Sequence, residues 1–201
     1  MDIEDINNQA INNPLSKEEL KKQFVEKTKE LGLKHTFTFD EAWEVAQEIR
    51  KKQEYRKRIV NLQEQMEEGG ALVGKELNKI NPVKHAFADG CYIREIFNPS
   101  NYLLITKIHK KEHPFFLMKG EMSILTEEGI QHIKAPYQGV TKPGTKRAIY
   151  THEECIFITV HSTENTSIEE VEEEVVCTKY EDLPPNCDTL EILKKINLKQ
   201  E

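Results

Sequence analysis

The sequence predicts a mainly β domain, a small barrel or sandwich, with a helical extension before it and a short helical tail after it. Three observations lead there. Between residues 87 and 162, short apolar runs recur at close intervals, split by Gly, Pro and Asn turns, with no helical period between them. Before that stretch apolar residues recur at helical spacing, and after it the chain becomes acidic and amphipathic. The net charge of −7 is also uneven: residues 1–84 balance at −1, residues 85–162 at +1 and residues 163–201 at −7. These shifts divide the chain into a lead and helical extension (1–84), a β-barrel (85–162) and an acidic helical tail (163–201).

Residues 1–15 are Asn-rich and contain Pro14, the composition of a flexible lead. Ser16-Lys17-Glu18-Glu19 is a capping-box pattern that opens a helix. Leu20, Phe24, Thr28 and Leu31 follow on one face, and Gly32 is the expected stop. Thr36 to Phe39 alternates briefly like a strand. Asp40 is the expected cap of a second, long helix with Ala42, Val45, Ala46, Ile49, Ile59, Leu62 and Met66 on its apolar stripe. It ends at Gly69-Gly70, a length of ~40 Å at helical rise. Trp43, the single Trp, is expected to anchor this helix or a subunit contact. Six positive residues between Arg50 and Arg58 interrupt the stripe. They read as a solvated face, or a partner for the acidic tail, ahead of a phosphate-binding surface.

From Phe87 the period becomes two. Cys91, Ile93, Glu95 and Phe97 alternate with Tyr92, Arg94 and Ile96; Asn98-Pro99-Ser100-Asn101 turns the chain, and Tyr102–Ile108 forms a second strand. Pro114–Lys119 is a third and Glu121–Leu125 a fourth, joined at a Gly120 corner. Glu127-Glu128-Gly129 leads into Ile130–Ile133. Pro136 and Gly139 break the pattern, Lys142-Pro143-Gly144-Thr145 turns, and Lys146–Tyr150 and Cys155–His161 complete the set. Ile168, Val171 and Val175 predict a short amphipathic helix, and Asp188 is expected to cap a last one bearing Leu190, Leu193 and Ile196.

Composition excludes several classes. No apolar run approaches the ~18 residues of a membrane span. The acidic, polar start is unlike a secretory signal, so a cytoplasmic protein is expected. Cys91, Cys155, Cys177 and Cys187 lack CxxC spacing, which predicts reduced thiols, with Cys155 a packing residue. The acidic balance argues against nucleic acid as a partner.

The side chains able to carry chemistry gather around the second and third strands. His109 closes one strand and His113 opens the next, and His161 on the final strand, or His152, can supply a third imidazole. Such a set suits a divalent ion such as Zn, Fe, Mn or Ni, with His109, His113 and His161 as ligands. Alternatively Lys107, His109 and Arg147, with Tyr150 on the same strand as Arg147, form a pocket for a carboxylate or phosphate. Both chemistries stay open, as do buried histidines that simply bond one another or water.

The run from His109 through His113 to Gly120-Glu121, followed by Pro143-Gly144-Thr145, resembles the two motifs of the cupin superfamily. Aligned on Gly120, the first motif (His-x-His…Glu…Gly) places its histidines on Lys107 and His109 and its Glu on His113. Aligned on Pro143, the second places its His on Ala148 and its Asn on His152. The resemblance spans about residues 87–162 and implies a single cupin-type jelly-roll barrel. The turn positions are kept, whereas His109 is the one metal ligand retained in kind. The stretch from Tyr92 to His161 also resembles small cupin-like proteins of tailed bacteriophages, which share the texture KIH…EH…KG…EEG…IKAP…KPGTKR. That likeness implies an accessory or virion-associated role in the host cytoplasm or virion. A non-catalytic homo-oligomer, joined to a larger assembly through its termini, is therefore the expected function. The alternatives are a metal-dependent isomerase or dioxygenase acting on a small polar substrate, and an anion or nucleotide pocket without turnover.

Overall fold

The structure, a computed structural model, describes residues 16–30 and 38–184. The expected lead, the Gly32 stop, Thr36-Phe37 and the helix from Asp188 lie outside the described residues. The chain divides into two compact units, one holding residues up to Tyr55 and the other Arg56–Cys187.

In the first unit, helix α1 (Lys17–Glu30) begins at the expected capping box. The Ser16 N–H donates to Glu19 Oε2 at 2.8 Å, and the Glu19 N–H donates back to Ser16 Oγ at 3.3 Å. Helix α2 (Phe39–Glu68) is capped by Thr38 rather than Asp40. The Thr38 N–H donates to Glu41 Oε2 at 2.5 Å, and its hydroxyl accepts from the Glu41 N–H at 3.3 Å. A second S/T-x-x-E box thus starts the helix two residues earlier. Asp40 instead meets Lys17 and Lys21. Leu20, Phe24, Phe39, Ala42 and Ala46 form the unit's core, with Trp43 packed against them, its ring 6.0 Å from Phe39.

The second unit holds the short helix α3 (Gly74–Ile80) and eleven strands among the described residues. They are β1 (Val83–Ala88), β2 (Cys91–Asn98), β3 (Leu103–Ile105), β4 (Ile108–His109), β5 (His113–Lys119), β6 (Glu121–Thr126), β7 (Gly129–Lys134), β8 (Tyr137–Thr141), β9 (Ala148–Thr151), β10 (Cys155–Ser162) and, after helix α4 (Ile168–Val175), β11 (Val176–Cys177). One sheet runs β1-β2-β10-β5-β8 and the other β3-β9-β6-β7, with β11 paired to β4. All paired strands are antiparallel. Strands β2, β10, β5 and β8 against β3, β9, β6 and β7 make the two interlocked Greek keys of an eight-stranded jelly roll. The mainly β expectation holds, with helices before the barrel and a short helix after it.

Side chains from both sheets meet in one core: Phe115, Leu117, Cys155 and Phe157 from the first, Met122, Ile124, Ile133 and Ile149 from the second. Gly120 is the corner the sequence implies. Its φ is +89°, and a Cβ there would stand 2.3 Å from the Glu154 carbonyl oxygen. Three local expectations need correction. The run from Tyr102 to Ile108 is broken into β3 and β4, because Thr106 and Lys107 leave the ladder. Pro136 and Gly139 do not end the sheet: β8 pairs with β5, and Gly139 gives room to the Phe115 ring, which a Cβ would meet at 2.6 Å. Strand β1 starts at Val83, ahead of Phe87, and pairs with β2. None of the described helices is long and apolar enough to cross a membrane. Cys91, Cys155 and Cys177 are free thiols; Cys155 is wholly buried and burial raises its pKa, as suits a packing residue. Cys187 lies outside the described residues.

Candidate functional site

The strand registers stack the barrel's inward side chains in layers across β2, β10, β5 and β8. Ile96, Phe157 and Leu117 form an apolar layer. The next holds Arg94, Thr159, Phe115 and Gly139. The last holds Tyr92, His161, His113 and Thr141. The barrel is therefore oily at one end and polar at the other. From the opposite side β4 adds His109, whose main-chain carbonyl accepts from the Gly144 N–H at 2.7 Å. The turn Pro143-Gly144 thus fixes where His109 stands, and Gly144 carries a φ of +78°.

The three imidazoles form one group. Ring centres are 4.2 Å apart for His113 and His161, 4.5 Å for His109 and His113, and 6.5 Å for His109 and His161. His161 is also 6.1 Å from the Tyr92 ring, whose hydroxyl lies 2.5 Å from His85 Nδ1. Burial dominates the titration of all three. It lowers His161 to about 3, His113 to about 4 and His109 well below the usual imidazole value. Neighbouring positive charge adds to this, Arg147 and Arg94 acting on His109, so the rings are neutral at pH 7. His113 Nδ1 lies 3.2 Å from the Lys111 carbonyl oxygen. A carbonyl only accepts, so Nδ1 carries the proton and Nε2 presents a lone pair to the cluster. His161 Nε2 meets Thr159 Oγ1 at 3.1 Å.

Four polar atoms of this group are buried without a hydrogen-bond partner: His109 Nδ1, His113 Nε2, His161 Nδ1 and Thr141 Oγ1. Each such atom costs about 1–3 kcal/mol when left unsatisfied. Four in one place, contributed by four strands, mark a site shaped for a ligand or for water. Beside them sit two guanidinium groups. Arg147 is 7% exposed, with its guanidinium 4.9 Å over the Phe115 ring. Arg94 is partly buried on the inward side of β2 and, among the described residues, ion-paired with no carboxylate. The acidic groups acting on this end of the barrel, Glu172 and Glu174, both belong to α4.

Helix α4 closes this end. Its Ser167 cap accepts from the Glu170 N–H, and Val171 and Val175 pack on Tyr92. Strand β11 then places Val176 opposite His109. Three lysines around His109, Lys107 before it and Lys110 and Lys111 after it, are tied to α4. Lys107 meets Glu172 at 2.9 Å, Lys110 donates to the Glu173 carbonyl at 2.7 Å, and Lys111 pairs with Glu174. These are the partners of the acidic tail. From the basic stretch, Arg56 stacks 4.4 Å over Tyr180.

Of the residues singled out in the sequence, the structure brings together His109, His113, His161 and Arg147. Lys107 is not with them: the break between β3 and β4 turns it outward, half-exposed, to Glu172. Tyr150 is not with them either. On β9 it faces opposite to Ile149 and Thr151, and its hydroxyl donates to Asn101 Oδ1 at 3.3 Å. His152 lies on that outer side, with its ring 5.1 Å from Tyr150. Sequence reasoning missed Tyr92, Arg94 and Thr141 as site residues. Arg94 had a signal, since it shares its strand parity with Tyr92 and Ile96. Thr141 had none, because its strand was hidden by Pro136 and Gly139.

The donor types suit a borderline metal, as neutral imidazoles do. The arrangement does not: among the described residues no group of three or more His, Cys, Asp or Glu side chains is placed to hold a metal ion. Two adjacent guanidiniums further disfavour an added cation.

No protein-family model matches the sequence, and no curated protein matches it. Solved structures with a similar trace include a cupin-2 domain protein from Shewanella frigidimarina (13% identity, 49% of this chain and 99% of that one, TM-score 0.36). Another is a double-stranded β-helix protein from Klebsiella pneumoniae (16%, 45% and 78%, TM-score 0.38). A third is the Cupin_2 domain of an XRE family transcriptional regulator from Enterobacter cloacae (11%, 43% and 99%, TM-score 0.37). These scores lie below 0.5, and the jelly roll is established by the strand order itself.

Proposed function

We propose that the barrel is a binding module for a small oxyanion, a carboxylate or phosphate, that it holds without turning it over. One observation carries this reading. Buried imidazole and hydroxyl groups lacking partners stand beside Arg94 and Arg147, with no carboxylate paired to Arg94. Guanidinium groups recognise carboxylates and phosphates through paired N–H donors. An anion also favours protonated imidazole, so its binding raises the proton affinity of His109, His113 and His161. The sequence resemblance to cupin-like phage proteins supports an accessory role in the host cytoplasm or virion. On that role the module works as a homo-oligomer attached to a larger assembly through its termini, and a stable monomer by light scattering at micromolar concentration contradicts it.

The competing reading is a divalent ion on His109, His113 and His161, as in a metal-dependent isomerase or dioxygenase. The fixed His113 tautomer favours it, because a metal-bound histidine commonly donates its other N–H to a carbonyl. Thermal melting in anion-free buffer separates the two. With inorganic phosphate or malonate the melting temperature is expected to rise with concentration. The rise should be larger at pH 6 than at pH 8 and lost in Arg94→Gln and Arg147→Gln. Stabilisation by Zn, Mn or Ni that His109→Gln abolishes, with no response to anions, overturns the proposal in favour of the metal.

A further inference from the structure

The outer face of the four-stranded sheet carries a second constellation, independent of the barrel interior. Ser123 on β6 lies between His132 on β7, its register partner, and His152, which follows β9. Ser123 Oγ is 3.2 Å from His132 Nδ1 and 2.8 Å from His152 Nε2. His132 Nε2 in turn lies 2.7 Å from Glu121 Oε1, and Lys134 holds the other Glu121 oxygen at 2.9 Å.

Proton positions follow from this chain. Lys134 and His132 keep Glu121 ionised, lowering its pKa, so its oxygen accepts and His132 Nε2 carries the proton. In the neutral ring, Nδ1 then has the lone pair and accepts from the Ser123 hydroxyl. Ser123 has spent its one proton, so toward His152 it accepts, and His152 Nε2 is the donor. A hydroxyl bonded to a base whose far nitrogen is held by a carboxylate is the arrangement of an activated serine. The His132 ring is half-exposed, so the group is open to solvent.

We infer that Ser123, His132 and Glu121 form an acyl-transfer site on the barrel's outer surface, reactive toward small activated esters. Ser123 Oγ bonds to the acyl carbon and its proton passes to His132 Nδ1. The alcohol leaves, taking that proton. Water then attacks the acyl-serine and gives its proton to the same nitrogen, which returns it to Ser123, releasing a carboxylic acid. Glu121 is a positioning residue that holds the ring. Among the described residues, His152 is the side-chain donor that reaches Ser123 Oγ.

A fluorophosphonate probe on the full chain tests this. Oγ attacks phosphorus, the P–F bond breaks, fluoride leaves, and the proton goes to His132. Intact mass is expected to show one adduct, mapped by peptide analysis to Ser123. It should be absent in Ser123→Ala, slowed at least about 100-fold in His132→Gln, and unchanged in the control Ser162→Ala. Both test positions are at the surface, and an unchanged melting temperature verifies folding. No adduct, an adduct on other residues, or wild-type labelling in His132→Gln overturns the assignment.

Discussion

The His113 imidazole lies 4.2 Å from that of His161, centre to centre, on neighbouring strands, and each ring buries a nitrogen that has no hydrogen-bond partner. The jelly roll brings them to one layer although 48 positions separate them in the chain. A barrel whose polar end is made of neutral imidazoles is sensitive to acid, and that sensitivity reports on the site.

In the native state His113 titrates at about 4 and His161 at about 3, against 6.5 for an unperturbed ring. Between these values and 6.5 the unfolded chain binds protons that the native state does not. Stability is therefore complete above pH 6.5 and is lost as pH falls toward 4, by on the order of 3 kcal/mol or more per ring. The urea midpoint is expected to drop already between pH 6.5 and 5, above the range where carboxylates titrate, and His161→Leu should reduce the slope. A midpoint that stays flat there contradicts the buried neutral assignment.

Replacing Gly120 tests the corner between β5 and β6. Alanine at a φ of +89° is strained, and its Cβ meets a backbone oxygen at 2.3 Å and the Cys155 sulfur at 2.7 Å. Gly120→Ala is expected to cost at least about 2 kcal/mol in chemical denaturation. Gly129→Ala has a similar positive φ but nothing within 4 Å, so it should cost less.

Helix α4 is held by unequal ties. Glu174 accepts from Lys111, from the Thr163 hydroxyl and from Asn165 Nδ2, whereas the Lys107–Glu172 pair is largely exposed. Glu174→Ala is expected to destabilise the barrel by about 1–3 kcal/mol, and Lys107→Ala by about 0–1 kcal/mol. Equal losses in urea titration would remove Lys111–Glu174 as the stronger anchor.

Local pattern carried much of the architecture. The Ser16 capping box, the alternation of β2, β5, β6 and β10, and the Gly120 corner depend on neighbours a few residues apart, so the linear sequence states them. Thr38 took the cap from Asp40 because a Thr-x-x-Glu box was available two residues earlier. Strand β8 escaped notice because Gly139 looks like a break until Phe115 is seen to occupy the space over it.

The sequence alone determined a mainly β barrel between helical ends and named the three histidines as the residues worth watching. Tertiary structure decided what those histidines face. Turning Lys107 outward, placing Arg94 inward and setting Ser123 between His132 and His152 depend on strand breaks and on registers between distant strands. A shift of one residue in any of those pairings would exchange the barrel's two faces. Local composition does not encode that choice; the packing of the two sheets makes it.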